Sequence, residues 1–299
     1  TDMQPDLVWI KNRDATDSHC LFDAVRGATK VLHADITNVE ATDADTLDSF
    51  TSDGFQVDAD VKVNTNTEKY VAWCWKESAT SGFDIVSYTG DDTARTISHS
   101  LSAVPHMMIV KARSATYGWA VYHAGNTSAP ETETIWLNST DATADRTPEW
   151  NDTAPTSSVF TLGDGESVNK DTITFIAYLF SEKQGFSKFG SFTGNQSTNG
   201  PFLYTGFRPA LLICKQTTSV KNWFIKDNKR LASFNPANGH LYPNQTHVGE
   251  DYADFDFLSN GIKIRHDGTD VNESGETYIY AAFAESPFVN SNGVPNNAR

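Results

Sequence analysis

The amino-acid sequence predicts an all-β protein made of tandem antiparallel β-sandwich modules of the jelly-roll or lectin-like kind. Short runs of β-branched and aromatic residues alternate with polar breaks rich in Gly, Asn and Asp, which is the pattern of strands and tight turns. Long patterns with apolar residues at i, i+3, i+4 and i+7, which indicate amphipathic helices, are missing from the sequence. The third observation is an internal repeat of about a hundred residues, present in three copies.

The first repeated element opens with a proline and carries a lysine six residues further on. Its copies are PDLVWIKNR, PHMMIVKAR and PALLICKQT, with the lysines at Lys11, Lys111 and Lys215. Each copy contains an apolar run of the length expected for a buried strand. We therefore predict one equivalent core strand in each repeat.

The second repeated element is an aromatic run that ends in glutamate. Its copies are YVAWCWKE, FIAYLFSE and YIYAAFAE, and a Val-Asn pair stands seven residues before each, with the asparagines at Asn64, Asn169 and Asn272. Asn tolerates positive φ and binds nearby backbone, so we expect these three residues to shape turns rather than to bind a ligand.

Both faces of YVAWCWKE are apolar, because Tyr70 and Cys74 alternate with Trp73 and Trp75. A strand that is apolar on both faces is typical of one covered on both sides. We therefore predict a central core strand and assign Trp73 to the core in preference to a sugar-stacking platform.

Repeat boundaries follow from a third motif. GFDIVSYTG at Gly82 matches GFSKFGSFTG at Gly185. The first copy has no such opening, so we expect its first strand upstream of residue 1. The predicted repeats span residues 1–78, 80–183 and 184–288. Residues 289–299 are polar and rich in Asn, and we expect a flexible tail there.

Composition narrows the function classes. The net charge of −15 disfavours binding to a phosphate backbone, and no apolar run reaches the length of a membrane helix. Cys20, Cys74 and Cys214 are far apart and odd in number, so neither a disulfide framework nor a zinc site is predicted. Cys74 and Cys214 lie in apolar runs, where we expect buried, unreactive thiols.

Motifs for catalysis, metals and cofactors are missing. The sequence contains no GxSxG, HExxH, Walker loop or GxGxxG after a strand, so no catalytic residue and no cofactor are predicted. The loops GDGE and RHDGTD do not follow the calcium-loop order, and we interpret them as turns. Trp150, between turn formers in RTPEWNDTAP, is the best candidate for an exposed ligand-binding aromatic, and Tyr117 in SATYGW is the second. A loop tryptophan packed beneath its own loop is the alternative.

The order of these motifs along nearly the whole chain resembles an uncharacterised repeat family in virion proteins of tailed phages, especially phages of marine bacteria and cyanobacteria. The resemblance implies a β-sandwich module in a tail, fibre or capsid-surface protein, located on the virion, and brings no catalytic residues with it.

On this basis we expect a non-enzymatic virion structural protein in the tail or a fibre that contacts the host surface or a glycan. The alternatives are a capsid decoration or cement protein without a ligand and, more distantly, a secreted carbohydrate-active enzyme. Expected partners are other virion proteins, further copies in a symmetric homo-oligomer and a host surface glycan, since unpaired sheet edges invite neighbouring chains. Nucleic acid and a membrane span are not expected.

Overall fold

The computed structural model describes residues 3–230, 235–237, 239–250, 252 and 254–285. Over these residues the chain forms strands joined by turns and a few single-turn helices, so the predicted all-β sandwich fold is confirmed. The predicted tail, residues 289–299, lies outside the described residues.

The strands fall into three groups by the sheets that they form, and we name these groups units 1, 2 and 3. Unit 1 contains β1 (Leu7–Asn12), β2 (Cys20–Asp23), β3 (Lys30–His33), β4 (Ala41–Thr42), β5 (Leu47–Thr51), β6 (Gly54–Val57), α1 (Val61–Asn64) and β7 (Tyr70–Trp75). Unit 2 contains β8 (Phe83–Thr89), β9 (Arg95–Ser98), β10 (Met107–Ala112), β11 (Trp119–His123), a 3-10 turn (Pro130–Thr132), β12 (Glu133–Trp136), β13 (Ala144–Asp145), α2 (Thr147–Trp150), β14 (Val159–Leu162), α3 (Glu166–Asn169) and β15 (Thr174–Phe180). Unit 3 contains β16 (Ser187–Thr193), β17 (Phe202–Tyr204), β18 (Leu211–Gln216), β19 (Trp223–Asp227), β20 (Phe255–Leu258), β21 (Gly261–Ile264), α4 (Thr269–Asn272) and β22 (Thr277–Phe283).

Each unit has one larger and one smaller antiparallel sheet. The larger sheets have the strand orders β4-β3-β2-β1-β7, β13-β12-β11-β10-β15-β8 and β16-β22-β18-β19. The smaller sheets are β5-β6, β14-β9 and β17-β21-β20. Each described sheet takes all its strands from one unit, as expected if equivalent strand sequences build equivalent modules.

An outer core lies between the two sheets of each unit. In unit 2, for example, Val110 and Tyr122 of the larger sheet share a buried cluster with Phe160 and Leu162 of the smaller sheet. Equivalent clusters are formed by Val8 and the other outward-facing residues of unit 1 and by Leu212 and its neighbours in unit 3.

The opposite faces of the three larger sheets meet in a single central core. Trp9, Ile109 and Ile213 from the equivalent strands β1, β10 and β18 are buried in it together. The larger sheets are thus covered on both sides, which explains why their strands are apolar on both faces. The units pack around a shared core and do not follow one another as separate beads.

Tryptophan side chains join neighbouring units in a cyclic pattern. The indole Nε1 of Trp119 in unit 2 donates to the carbonyl oxygen of His33 in unit 1, at 3.0 Å. The indole of Trp223 in unit 3 donates to the carbonyl oxygen of Trp136 in unit 2, at 2.9 Å. The third equivalent position is His19 of unit 1, and the backbone of Tyr242 in unit 3 is its neighbour. Each unit therefore contacts the preceding one, and unit 1 closes the cycle.

A second set of buried polar contacts crosses the same three interfaces. The Tyr178 hydroxyl donates to Asp23 at 2.7 Å, and the indole of Trp73 donates to Asp227 at 3.1 Å. Between units 2 and 3, Nε2 of His123 lies 3.0 Å from the carbonyl oxygen of Tyr280. These hydrogen bonds satisfy polar groups that would otherwise be buried without partners.

The expectation that YVAWCWKE is a central strand is wrong, because β7 lies at the edge of its sheet. Its apolar faces are real: Trp73 and Trp75 belong to the central core, while Tyr70 and Cys74 pack against the outer core of unit 1. Unit 1 differs from units 2 and 3 because, within the described residues, β7 has a neighbouring strand on one side only.

Candidate functional site: the open edge of unit 1

The outer edge of β7 is the main difference between unit 1 and the other two units. The equivalent strands β15 and β22 each pair with two neighbours, β10 and β8 in one case and β18 and β16 in the other. Strand β7 pairs with β1 only, within the described residues. We call the unpaired side of Tyr70–Trp75 the open edge.

In units 2 and 3 the equivalent edge is paired with a further strand, β8 in unit 2 and β16 in unit 3. Strand β8 pairs antiparallel with β15 from Phe83 opposite Phe180 to Thr89 opposite Thr174. Its inward side chains Phe83 and Ile85 are buried in the central core. At the open edge, in contrast, Ala72 of β7 is exposed. An unpaired row of backbone N–H and C=O groups is a template for a further strand.

The repeated asparagines hold the loop that follows β8 and β16. Nδ2 of Asn169 donates to the carbonyl oxygens of Gly163 and Thr93, at 2.7 and 2.8 Å. Asn272 does the same to Ser197 and His266, both at 2.9 Å. The expectation that these residues shape turns is confirmed for both.

Asn64, in contrast, is exposed. It occupies the same position, as the last residue of the equivalent helix α1, but unit 1 has no described loop of the β8–β9 type for it to hold. The unused asparagine marks the place where such a loop would sit.

The smaller sheet of unit 1 has no strand equivalent to β9 or β17 among the described residues. Strand β9 pairs with β14, and β17 pairs with β21, whereas β6 pairs with β5 only within the described part of the chain. In units 2 and 3 one continuous segment supplies both the strand at the edge of the larger sheet and the added strand of the smaller sheet. Unit 1 therefore has matched places for a strand–loop–strand segment.

The two predicted ligand-binding aromatics lie in unit 2 and not at the open edge, and neither is exposed. Trp150 ends α2 and is only 1% exposed; its ring packs against Tyr122, and its Nε1 donates to the carbonyl oxygen of Glu133 at 3.1 Å. The expectation of an exposed Trp150 is wrong: the side chain is buried, as the alternative held, but it packs into the outer core of unit 2 from the end of a short helix. Tyr117 is half-buried against the outer core of unit 2.

Two exposed aromatic rings that sequence reasoning did not single out lie on β17. Phe202 and Tyr204 are 46% and 63% exposed, while Leu203 between them is buried. The equivalent outward positions of β9 carry Thr96 and Ser98. The alternation in the sequence GPFLYTG was the available signal, since a buried Leu203 forces its two neighbours onto the outer face.

The repeated lysines are buried and bind backbone. Nζ of Lys111 donates to the carbonyl oxygen of Ala112 at 2.7 Å, and Lys11 and Lys215 make the equivalent contact with the next residue's carbonyl. Burial lowers the pKa of each lysine to about 8. Each side chain also donates to a carbonyl oxygen four residues further on, so it holds the loop that follows its strand.

The thiols and the acidic loops show no site. Cys214 is buried, as expected, whereas Cys74 is half-buried, and burial raises its thiol pKa to about 11. Among the described residues, no three His, Cys, Asp or Glu side chains are grouped to hold a metal ion. The loops GDGE and RHDGTD lead into α3 and α4, with Gly165 and Gly268 at the N-caps. No helix in the described ranges is long and apolar enough to cross a membrane.

The fold and the open edge define an all-β protein of three related units around one core. A family model described as a domain of unknown function, DUF7483, matches residues 1–287, and the chain belongs to that family. No curated protein and no solved structure matches the chain.

Proposed function

We propose that this chain is a non-enzymatic structural protein of a phage virion, located in the tail or a fibre at the particle surface. The observation that carries the proposal is that three units share one packed core, while β7 of unit 1 has a neighbour on one side only among the described residues. A protein that serves assembly needs a stable body and a specific place at which a neighbour adds. The motif resemblance supplies the virion location.

The open edge is the proposed assembly contact. Strand addition to an edge uses backbone hydrogen bonds for affinity and side-chain pockets for specificity. In unit 2 the side chains added at this edge are Phe83 and Ile85, which are buried in the central core, and Asn169 donates to the loop that follows. Asn64 is the equivalent residue in unit 1 and is the proposed hydrogen-bonding group for such a loop. The segment that fits this edge is a strand–loop–strand that begins with Gly-Phe and ends its first strand with Thr-Gly, as in β8 and β16.

Contact with a host surface or glycan is assigned to Phe202 and Tyr204. Their rings are two residues apart on one face of β17, so they lie about 7 Å apart along the strand. Exposed aromatic faces that are adjacent in this way suit stacking against sugar rings. The buried Trp150 cannot offer such a face.

A capsid decoration protein is the second candidate. The closed arrangement of the units around one core favours it, because the chain does not extend outward as a spacer would. The exposed pair on β17 supports the host-contact role instead.

Antibody labelling of intact particles tests the proposal. Gold label on the tail or fibres, together with antibody that blocks adsorption, is the expected result. Label confined to the capsid lattice supports the decoration role, and absence of label from purified particles contradicts a virion function. Antibody raised against wild-type protein and then depleted on the variant Tyr204→Ser keeps only the fraction that recognises the aromatic surface, and this fraction should block adsorption.

A further inference from the structure

Unit 3 has a charged residue at a position that the other units fill with aromatic rings. Lys226 of β19 lies opposite Leu212, just as Phe22 lies opposite Val8 and Tyr122 opposite Met108. Its side chain is 0% exposed. A buried ammonium is costly unless it is paired and hydrogen-bonded, so its presence in a core position calls for a specific role.

A carboxylate and an imidazole complete the cluster around Lys226. Nζ lies 3.0 Å from Oδ2 of Asp254, whose side chain is 2% exposed, and donates to the carbonyl oxygens of Ala237 and Tyr252. Nε2 of His240 lies 2.5 Å from the same Oδ2 atom, and the His240 ring stacks on Phe224. The ammonium also lies 5.2 Å from the ring centre of Phe255.

We propose that Lys226 and Asp254 form an intramolecular isopeptide bond. Nζ first transfers one proton to the carboxylate, which gives a neutral amine and a neutral acid. The lone pair of Nζ then attacks Cγ of Asp254 and forms the N–C bond. The hydroxyl oxygen takes a second proton from Nζ and leaves as water, and the amide keeps one N–H. No oxidant or cofactor is needed.

The surroundings act on each part of this step. Exchange of the ion pair for a neutral amine and acid is uphill in water, and burial penalises the charged forms and narrows this gap. The contacts with His240 and Lys226 act in the opposite direction and lower the pKa of Asp254 overall. Fixed contact between Nζ and the carboxyl group replaces a bimolecular encounter, which is a large part of the barrier to amide formation. His240 lies against the oxygen that leaves, where it can relay the proton.

The other described lysine–carboxylate pairs lack this combination. Lys170 and Asp92, for example, are 38% and 40% exposed, so water stabilises both charges. Lys11, Lys111 and Lys215 are buried but bond to carbonyl oxygens and have no carboxylate partner among the described ion pairs. These residues serve as internal controls for the chemistry.

Mass spectrometry of the purified, denatured full chain tests the bond. The expected mass is lower by one water molecule than the mass calculated for the unmodified chain, and a tryptic digest should contain the segment 222–229 joined to 231–263. A mass equal to that of the unmodified chain, with both segments found unlinked, overturns the proposal and leaves a simple buried ion pair.

Two variants and one control variant distinguish the Lys226–Asp254 bond from loss of water at another place in the chain. Lys226→Met keeps an unbranched apolar side chain in the core and should restore the full mass. His240→Gln should leave a larger unlinked fraction than wild type, whereas His247→Gln, altered at an exposed histidine, should not. A mass deficit that survives Lys226→Met would also overturn the assignment. Circular dichroism of each variant confirms that the comparison is made on folded protein.

Discussion

The rings of Trp75 and Phe283, from the last core strands of units 1 and 3, lie 5.8 Å apart between centroids and meet edge to face at 77°. Phe180 of unit 2 completes a triangle with both rings, 6.1 Å from Trp75 and 5.8 Å from Phe283. One aromatic ring from each unit thus meets at the centre of the molecule. Aromatic pairs in this geometry stabilise beyond the area that they bury.

Truncation at this triangle should destabilise the whole molecule. We expect Trp75→Ala to lower the free energy of unfolding by about 3–5 kcal/mol, because a large ring is removed from a packed core. Urea unfolding followed by circular dichroism measures the change. Tyr204→Ala, on the exposed face of β17, is the matched control and should change it by less than about 0.5 kcal/mol. Similar losses in both variants would contradict the shared central core.

Trp150 and Trp73 should behave alike, since both are buried. Each replacement by alanine should cost about 3–5 kcal/mol. Trp73→Phe separates packing from polarity, because it keeps a ring but removes the indole that donates to Asp227. A near-zero cost for Trp150→Ala would restore the sequence-based interpretation of an exposed residue.

The equivalent asparagines should differ in importance. Asn169→Ala removes a buried side chain that donates to Gly163 and Thr93, so we expect a loss of about 1–3 kcal/mol. Asn64→Ala removes an exposed side chain and should change stability by less than about 0.5 kcal/mol. Thermal unfolding of the two variants side by side measures both effects. Equal losses would show that Asn64 already holds a loop.

Acid should weaken the contact between units 2 and 3 through His123. Burial lowers the pKa of His123 from 6.5 to about 4, and Nδ1 accepts a hydrogen bond from the backbone N–H of Gly125, so the folded protein holds this ring neutral. The unfolded chain binds the proton near pH 6.5. Between these values the unfolded state carries more protons, so stability falls as pH decreases, by about 1.4 kcal/mol per pH unit. Below about pH 4 this contribution levels off.

The variant His123→Gln isolates this effect. Glutamine keeps a donor and an acceptor but does not titrate, so its free energy of unfolding should depend less steeply on pH between about 6.5 and 4. Urea titrations at several pH values, with His247→Gln as the exposed control, measure the difference in slope. Parallel curves for wild type and His123→Gln would contradict the assignment.

The sequence predicted the strands and their repetition better than their assembly. Two apolar faces at Tyr70–Trp75 correctly indicated cover on both sides, but a single strand pattern does not say whether its neighbours come from the same unit or from another. The edge position of β7 depends on the strand beside it, which periodicity within the segment does not show. Trp150 was misjudged because a four-residue helix is too short to display a helical period, so Thr147 and Pro148 were interpreted as a loop. The cluster at Lys226 was missed because Asp254 and His240 are distant in sequence.

Hydrogen–deuterium exchange along β7 tests the open edge most directly, with and without a synthetic peptide of residues 82–98, which carries β8, its loop and β9. In the chain alone, outward amides of Tyr70–Trp75 should exchange much faster than those of β15 and β22, because they lack a pairing strand. The peptide should slow their exchange, a scrambled peptide should not, and Asn64→Ala should weaken the peptide effect. Protection of β7 equal to that of β15 in the chain alone, or no change at saturating peptide, would contradict the account.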